Sequence, residues 1–393
     1  MTRDIVIVGA ARTAIGTFGG ALRDVPLSQL ATTAVKAALE RSGAAPGKVG
    51  HVVLGNVIPT EPKDAYLSRV AALNAGLPET VPAFNVNRLC GSGLQAIISA
   101  AQTIAIGDAD IAIGGGAESM SRAPYISPGM RWGQRMGDGR MVDYMLAVLH
   151  DPFLDIHMGI TAENVAARLK VSREDQDALA AESHRRAAHA IAEGHFREQI
   201  VPVEIVSRKG TTVFDTDEHV RVDSTFDVLS RMKPAFKADG TVTAGNASGI
   251  NDAAAAVVLA EAELAERMGL KPLARLVSYA HAGVAPDEMG IGPIPATRKV
   301  LERTGLSVAD LDVIESNEAF AAQACAVARE LGLDPAKVNP NGSGISLGHP
   351  VGATGAIITV KAIYELHRIG GRYALVTMCI GGGQGIAAIF ERM

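Results

Sequence analysis

A chain of 393 residues is longer than one hydrophobic core usually serves; with 48% hydrophobic residues, 20% charged residues and 42 glycines it reads as a buried α/β enzyme of two or three domains, not a disordered or fibrous protein. The formal charge of −5 gives no general attraction for nucleic acid or an acidic membrane. Three widely spaced cysteines argue against a disulfide framework and for a reducing, cytoplasmic setting.

Ile5–Val8 is expected as a buried strand, followed by a turn region over Gly9–Gly20. The longer apolar run Ile5–Ala11 is too short for a membrane helix and lacks the pattern of a secretory signal. Leu27–Arg41 has helical spacing, with Ser28 as cap and Gly43 as stop. His51–Gly55 predicts a strand and Ala65–Ala75 a helix, whereas Pro82–Leu89 is a poor strand. Leu94, Ile97, Ile98, Ala101 and Ala105 then recur at helical spacing, and Gly107 closes that helix. Ala109–Ile113 is expected as a strand that ends in Gly114-Gly115-Gly116.

From Ser121 the texture changes. Methionines at 130, 136, 141 and 145 cluster with Trp132, Arg131, Arg135 and Arg140, without clear periodicity, and read as adaptable packing. Ser172–Glu193 is a charged helix opened by the capping pattern Ser172 to Asp175 and ended by Gly194. Ile200–Arg208 and Thr211–Phe214 are expected strands around a Lys209-Gly210 turn. Residues 121–249 thus look like an insertion covering a site. Alternating α/β texture returns at Ala253–Ala260 and runs through Leu273–Tyr279, Asp312–Glu315, Glu318–Leu331, Ala353–Arg368 and Tyr373–Met378. A faint echo links Val86-Asn87 before Gly91-Ser-Gly93 to Val338-Asn339 before Gly342-Ser-Gly344, and suggests two similar halves.

Three reactive side chains sit in glycine-rich turns: Cys90 before Gly91-Ser-Gly93, His349 between Gly348 and Pro350, and Cys379 before Ile380-Gly-Gly-Gly383. Cys90 just precedes a helix start, whose free N–H groups and partial positive charge favour a thiolate nucleophile. An imidazole held by a turn suits general base work on a nearby thiol. Glycines after Cys379 can aim backbone N–H groups into a site, as an oxyanion hole requires. Asn317 follows a strand directly and is read either as a donor to a carbonyl oxygen or water, or as a helix cap. Cys325 lies mid-helix and reads as packing. Gly91-Ser-Gly93-Leu-Gln-Ala96 fits a loose dinucleotide pattern but lacks a convincing strand before it, and no zinc spacing, phosphate loop or Gly-x-Ser-x-Gly elbow is present. Two thiols and one imidazole describe acyl transfer on sulfur.

These motifs resemble the thiolase family over essentially the whole chain. Val86–Ala96, Asn317-Glu-Ala-Phe320, Gly348-His-Pro350 and Cys379-Ile-Gly-Gly-Gly383 look like its four catalytic blocks in order; Val8–Gly16, His157-Met-Gly159 and Asn246-Ala-Ser-Gly249 also match. The bacterial biosynthetic β-ketothiolases are the nearest type. The resemblance implies a thiolase fold of two similar α/β halves in a five-layer αβαβα core: residues 1–120 (completed by about 250–270), a coenzyme A-binding loop domain at 121–249, and a second half at 271–393. It implies reversible condensation of acetyl-CoA with a short acyl-CoA to 3-ketoacyl-CoA, CoA thioesters as substrates with no separate cofactor or metal, a homotetramer built from dimers, and a place in short-chain fatty acid or polyhydroxyalkanoate metabolism. Cys90 would carry the acyl group and His349 would take its proton. Cys379 would move the second proton. Asn317, through a water with His349, would bind one thioester oxygen, and the N–H groups of Cys90 and Gly381 would bind the other. Coenzyme A contacts would come from Leu149, His157, Met158, Arg221, Phe236, Ser248, Met289, Ala319 and Phe320, with the Arg221 guanidinium suited to the phosphorylated adenosine end. Ser343 departs from the family's usual glycine, which bears on the acyl pocket.

Overall fold

A computed structural model describes residues 3–208 and 210–393, so Lys209 of the expected Lys209-Gly210 turn lies outside the described residues; Gly210 opens the strand Gly210–Phe214. Among the described residues ten strands form one sheet, nine of them along a single hydrogen-bonded path and the tenth, Gly16–Thr17, paired beside it with Asn251–Glu261. Its first part runs Ala83–Val86, His51–Gly55, Ile111–Ser119, Asn251–Glu261 and Ile5–Arg12. Its second part runs Ala274–Gly283, Gln384–Arg392, Tyr373–Ile380 and Val313–Ser316. Only Val6 opposite Arg275 and Ile7 opposite Ala274 join the two parts.

The pairing repeats. In each part the strand at the junction lies antiparallel to a long strand, which lies antiparallel to a third, which runs parallel to a fourth. Helices Ser92–Ala105 and Thr354–Ile369 pack together between the two parts, Leu27–Ser42 covers the outer face of the first, and Pro293–Thr304 covers the outer face of the second. The layers therefore alternate helix, sheet, helix, sheet, helix. Strand side chains alternate between layers: Ile7 and Val257 face the central helices, while Val6 and Val258 face the outer ones. Both faces are buried, which is why these strands read as continuous apolar runs rather than alternating ones.

Close approach of backbones explains two glycine-rich stretches. A Cβ on Gly93 would stand 2.7 Å from the Ala356 nitrogen, and one on Gly355 would stand 2.3 Å from the Leu94 nitrogen, so the central helices touch backbone to backbone. Gly114-Gly115-Gly116 does not end a strand as expected but lies inside Ile111–Ser119, where Gly116 would press on the Gly352 carbonyl at 2.3 Å. The first strand likewise continues through Gly9 to Arg12, and Ala83–Val86 is a strand after all, paired in parallel with His51–Gly55. Ser28 lies inside its helix rather than capping it; Pro26 holds the cap position and Gly43, at φ 68°, ends the helix as expected. Gly342-Ser-Gly344 proves not to be the counterpart of Gly91-Ser-Gly93, because it lies well ahead of the helix Thr354–Ile369.

Residues 120–250 connect two neighbouring strands of the first part, and their own two short sheets do not join the main one. Arg12, wholly buried, ties this stretch down: it donates to both carboxylate oxygens of Asp217, at 2.8 and 2.9 Å, and to Gln199 Oε1 at 2.7 Å. The expected helix at 172–193 is Arg173–Ala192, with the Ser172–Asp175 capping box formed. Met145 packs, but Met130, Met136 and Met141 do not, and Trp132 is 89% exposed. Among the described residues no helix is long and apolar enough to cross a membrane.

Candidate active site

Cys90 lies in the sharp turn between strand Ala83–Val86 and helix Ser92–Ala105. Leu89, just before it, has φ 46°, a left-handed conformation costly for an apolar residue with a Cβ. Three bonds hold it there: the Leu89 N–H donates to Asn87 Oδ1 at 2.9 Å, the Ser92 hydroxyl donates to the Leu89 carbonyl at 2.6 Å, and the Arg88 N–H donates to Ser92 Oγ at 2.8 Å. Burial pushes the Cys90 thiol up to about 11, outweighing the backbone N–H groups of Gly381 and of Cys90 itself, which favour the thiolate. The helix start therefore does not leave a standing thiolate, as the sequence had suggested. Desolvation wins, and Cys90 rests as a thiol.

His349 is held by its backbone and its ring. Its N–H donates to Asn251 Oδ1 at 2.9 Å, and ring Nδ1 lies 2.7 Å from the Thr354 hydroxyl. Burial lowers its pKa to about 4, so the resting imidazole is neutral. The Asn317 carboxamide nitrogen lies 3.5 Å from both ring nitrogens. Asn317 is completely buried and does not cap a helix; Phe320 holds that position for Ala321–Leu331, which removes the cap reading. Its Oδ1 has no protein partner.

Cys379 lies inside the strand Tyr373–Ile380, packed in a buried cluster with Met158, Met289, Ala319 and Phe320. Burial, and then the charge that Cys90 would carry, raise its pKa. Cys325 belongs to the same cluster and contacts the Asp175 carbonyl at 3.6 Å, a packing position.

A cavity of about 230 Å³ has Cys90, His349 and Gly381 in its wall together with Leu149, His157, Met158, Phe236, Ser248, Met289, Ala319 and Phe320. Eight of the nine expected coenzyme A contacts are thus brought together. The ninth, Arg221, is exposed and lines an adjoining opening that shares Phe236 and Ser248 with the first. His157 stacks on Phe236 with ring centroids 4.7 Å apart, and its Nδ1 accepts the Gly159 N–H at 3.0 Å, capping helix Met158–Leu169. Ser343 is buried outside this cavity, its hydroxyl 3.5 Å from the Ser316 carbonyl, so it does not shape the acyl pocket by direct contact.

Sequence reasoning missed Glu118. This buried carboxylate accepts from Asn56 Nδ2 at 2.8 Å and from the backbone N–H groups of Val57 at 3.0 Å, Ile58 at 3.1 Å and Gly352 at 2.8 Å. Burial pushes it up to about 8, yet all four partners donate, an arrangement that suits the ionised form. It fastens the loop after His349 to the first half. Asn251 and Thr354 were also missed; no local pattern marks them, because their roles depend on where His349 folds.

The comparisons with known proteins agree with this geometry. Residues 5–263 match the family described as thiolase, N-terminal domain, and residues 270–392 match thiolase, C-terminal domain. The chain is 68% identical, over the full length of both proteins, to the beta-ketothiolase BktB of Cupriavidus necator. It is 52% identical to an acetyl-CoA acetyltransferase of Chromobacterium violaceum, over 99% of this chain and all of the other. Among solved structures it is similar to the Bacillus anthracis acetyl-CoA acetyltransferase, with TM-score 0.98 and 48% identity over 100% of this chain and 99% of that one. Human mitochondrial 3-ketoacyl-CoA thiolase in complex with CoA superposes with TM-score 0.96 and 43% identity over 100% and 98%. With both family regions matched in order across a thiolase fold, the chain belongs to the thiolase family.

Proposed function

We infer that this chain is an acyl-CoA C-acyltransferase that reversibly joins acetyl-CoA and a short acyl-CoA into a 3-ketoacyl-CoA, working through acyl-Cys90. The observation that carries the reading is the meeting of Cys90, His349 and the Gly381 backbone at one apolar cavity. Cys90 Sγ attacks the thioester carbonyl carbon as its proton passes to His349. The oxyanion that forms is met by the N–H groups of Cys90 and Gly381, donors already oriented and largely shielded from water. The carbon–sulfur bond to coenzyme A then breaks, and the departing thiolate takes the proton back.

In the second half-reaction Cys379, acting as its thiolate, removes a proton from the acetyl-CoA methyl in condensation or from the CoA thiol in cleavage, and passes it to the Cys90 sulfur as the acyl group leaves. Acylation keeps Cys90 uncharged, so that no Cys90 thiolate opposes ionisation of Cys379. The two cysteines therefore act in sequence. Asn317, with a water and His349, supports the second thioester oxygen. Residues 121–249 form the loop domain over coenzyme A, flanked by the halves 1–120 and 271–393, with Arg221 at the phosphorylated end. The exposed Trp132, Met136 and Met141 support a homotetramer, and light scattering that showed only monomer would overturn that assembly. A cytoplasmic location fits the three free thiols.

The test is CoA-dependent cleavage of acetoacetyl-CoA and 3-ketohexanoyl-CoA. Wild type should cleave at least the shorter substrate, and Cys90→Ala should lose on the order of 10⁴-fold or more. A well-folded wild type inactive on both would overturn the assignment and favour a condensing enzyme that uses a carrier protein.

A further inference from the structure

The Thr354 hydroxyl has one proton and two lone pairs to share. Its oxygen lies 2.9 Å from the Pro350 carbonyl and 2.7 Å from His349 Nδ1. The Pro350 carbonyl also accepts the backbone N–H groups of Ala353 and Thr354, each at 2.9 Å. It has no hydrogen to give, so the hydrogen in its 2.9 Å contact with the Thr354 oxygen comes from the hydroxyl. The lone pair left facing the imidazole needs a proton from the ring. Nδ1 must then carry the hydrogen, and Nε2 must hold the free lone pair. Asn317 Nδ2, a donor 3.5 Å from both nitrogens, is then received by Nε2. The two Thr354 contacts therefore select one tautomer. Free imidazole side chains in water favour the opposite one.

We propose that Thr354 is a positioning residue that reads the Pro350 carbonyl and thereby holds His349 as the Nδ1–H tautomer, leaving Nε2 free to take the Cys90 proton. Thr354 opens the helix Thr354–Ile369, and its side chain is buried, so the device is anchored on a rigid element and shielded from competing water. The residue itself touches no reacting atom. The inference rests on the reading of His349 as the base for Cys90, and the tests separate the two.

The primary measurement is the ¹⁵N spectrum of histidine-labelled full-length wild type. His349, assigned by its loss in His349→Ala, should show a protonated Nδ1 and an unprotonated Nε2; a protonated Nε2 overturns the proposal without need of any Thr354 variant. Thr354→Val keeps the volume and removes both roles of the hydroxyl, whereas Thr354→Ser keeps both roles. In the acetoacetyl-CoA cleavage assay Thr354→Val should lower kcat about 10–100-fold with KM little changed, and Thr354→Ser should restore most of it. The ¹⁵N signals in folded Thr354→Val should move toward the Nε2–H form. Unchanged kcat in Thr354→Val, or equal loss in the valine and serine variants, overturns the proposal. If His349→Ala retains activity, the base assignment itself has failed; if it is inactive while Thr354→Val is normal, only the role of Thr354 has.

Discussion

The two halves of this molecule use one pairing scheme to opposite ends. In the first half the strand Ile111–Ser119 reaches its antiparallel neighbour Asn251–Glu261 only after residues 120–250, which supply much of the cavity wall. In the second half the corresponding strands, Tyr373–Ile380 and Gln384–Arg392, are joined by the turn Gly381–Gly383, whose first residue faces Cys90. Gly55 pairs with Gly116 in the first half as Ser316 pairs with Thr377 in the second. That register makes Asn56 the counterpart of Asn317, and Glu118 the counterpart of Cys379. One half has turned this position into a clamp, with Glu118 gripping Asn56 and reaching across to Gly352; in the mechanism we propose, the other uses it for chemistry. Duplicated scaffolds can divide labour in this way because strand ends and their turns can change without disturbing the layers beneath.

Four experiments would break or sharpen that division. Replacing Cys379 with Ala should remove the proton chemistry of the second half while leaving the nucleophile of the first. Cleavage should fall by about 10²–10⁴-fold, yet radiolabelled acetyl-CoA should still acetylate Cys90; failure to label would merge the two roles. Alkylation of Cys90 by iodoacetamide should climb about tenfold per pH unit from pH 7 to 10. The sign follows because burial holds the thiol near 11 and the imidazole near 4, so raising the pH supplies thiolate throughout that range. A plateau reached below pH 8 would instead reveal a standing thiolate–imidazolium pair. Arg221→Ala tests the insertion's share of binding: KM for CoA should rise about tenfold with kcat unchanged, and the loss should shrink with dephospho-CoA. Glu118→Gln should break the clamp rather than the chemistry. Its new amide would face N–H donors, costing about 1–3 kcal/mol in urea unfolding, with kcat little changed; undiminished stability would mean the clamp is idle.

Much of this arrangement was legible along the chain, and the misses share a cause. The capping box at Ser172, the stop at Gly43 and the reactive turns at Cys90, His349 and Cys379 are written in residues adjacent in sequence. Gly114-Gly115-Gly116 was misread because the need for glycine there comes from backbone of other elements, Ile97 against Gly114, Ala255 against Gly115 and Gly352 against Gly116. Ala83–Val86 looked a poor strand because its pairing with His51–Gly55, not its own composition, makes it one. Met136 and Trp132 were expected to pack, yet this chain alone leaves them in solvent.

The sequence by itself determined the alternating α/β layers, the family and the candidates for the reactive groups, since periodicity and short motifs are local properties that survive without knowledge of neighbours. Tertiary structure alone decided the protonation states. A helix start favours a thiolate through a few nearby N–H groups, but burial by the surrounding layers opposes charge more strongly, so Cys90 rests as a thiol and His349 as a neutral ring. It also decided which nitrogen of that ring is free. That choice depends on a hydroxyl whose proton is spoken for by the Pro350 carbonyl, a constraint that exists only once the turn and the helix after it have folded together.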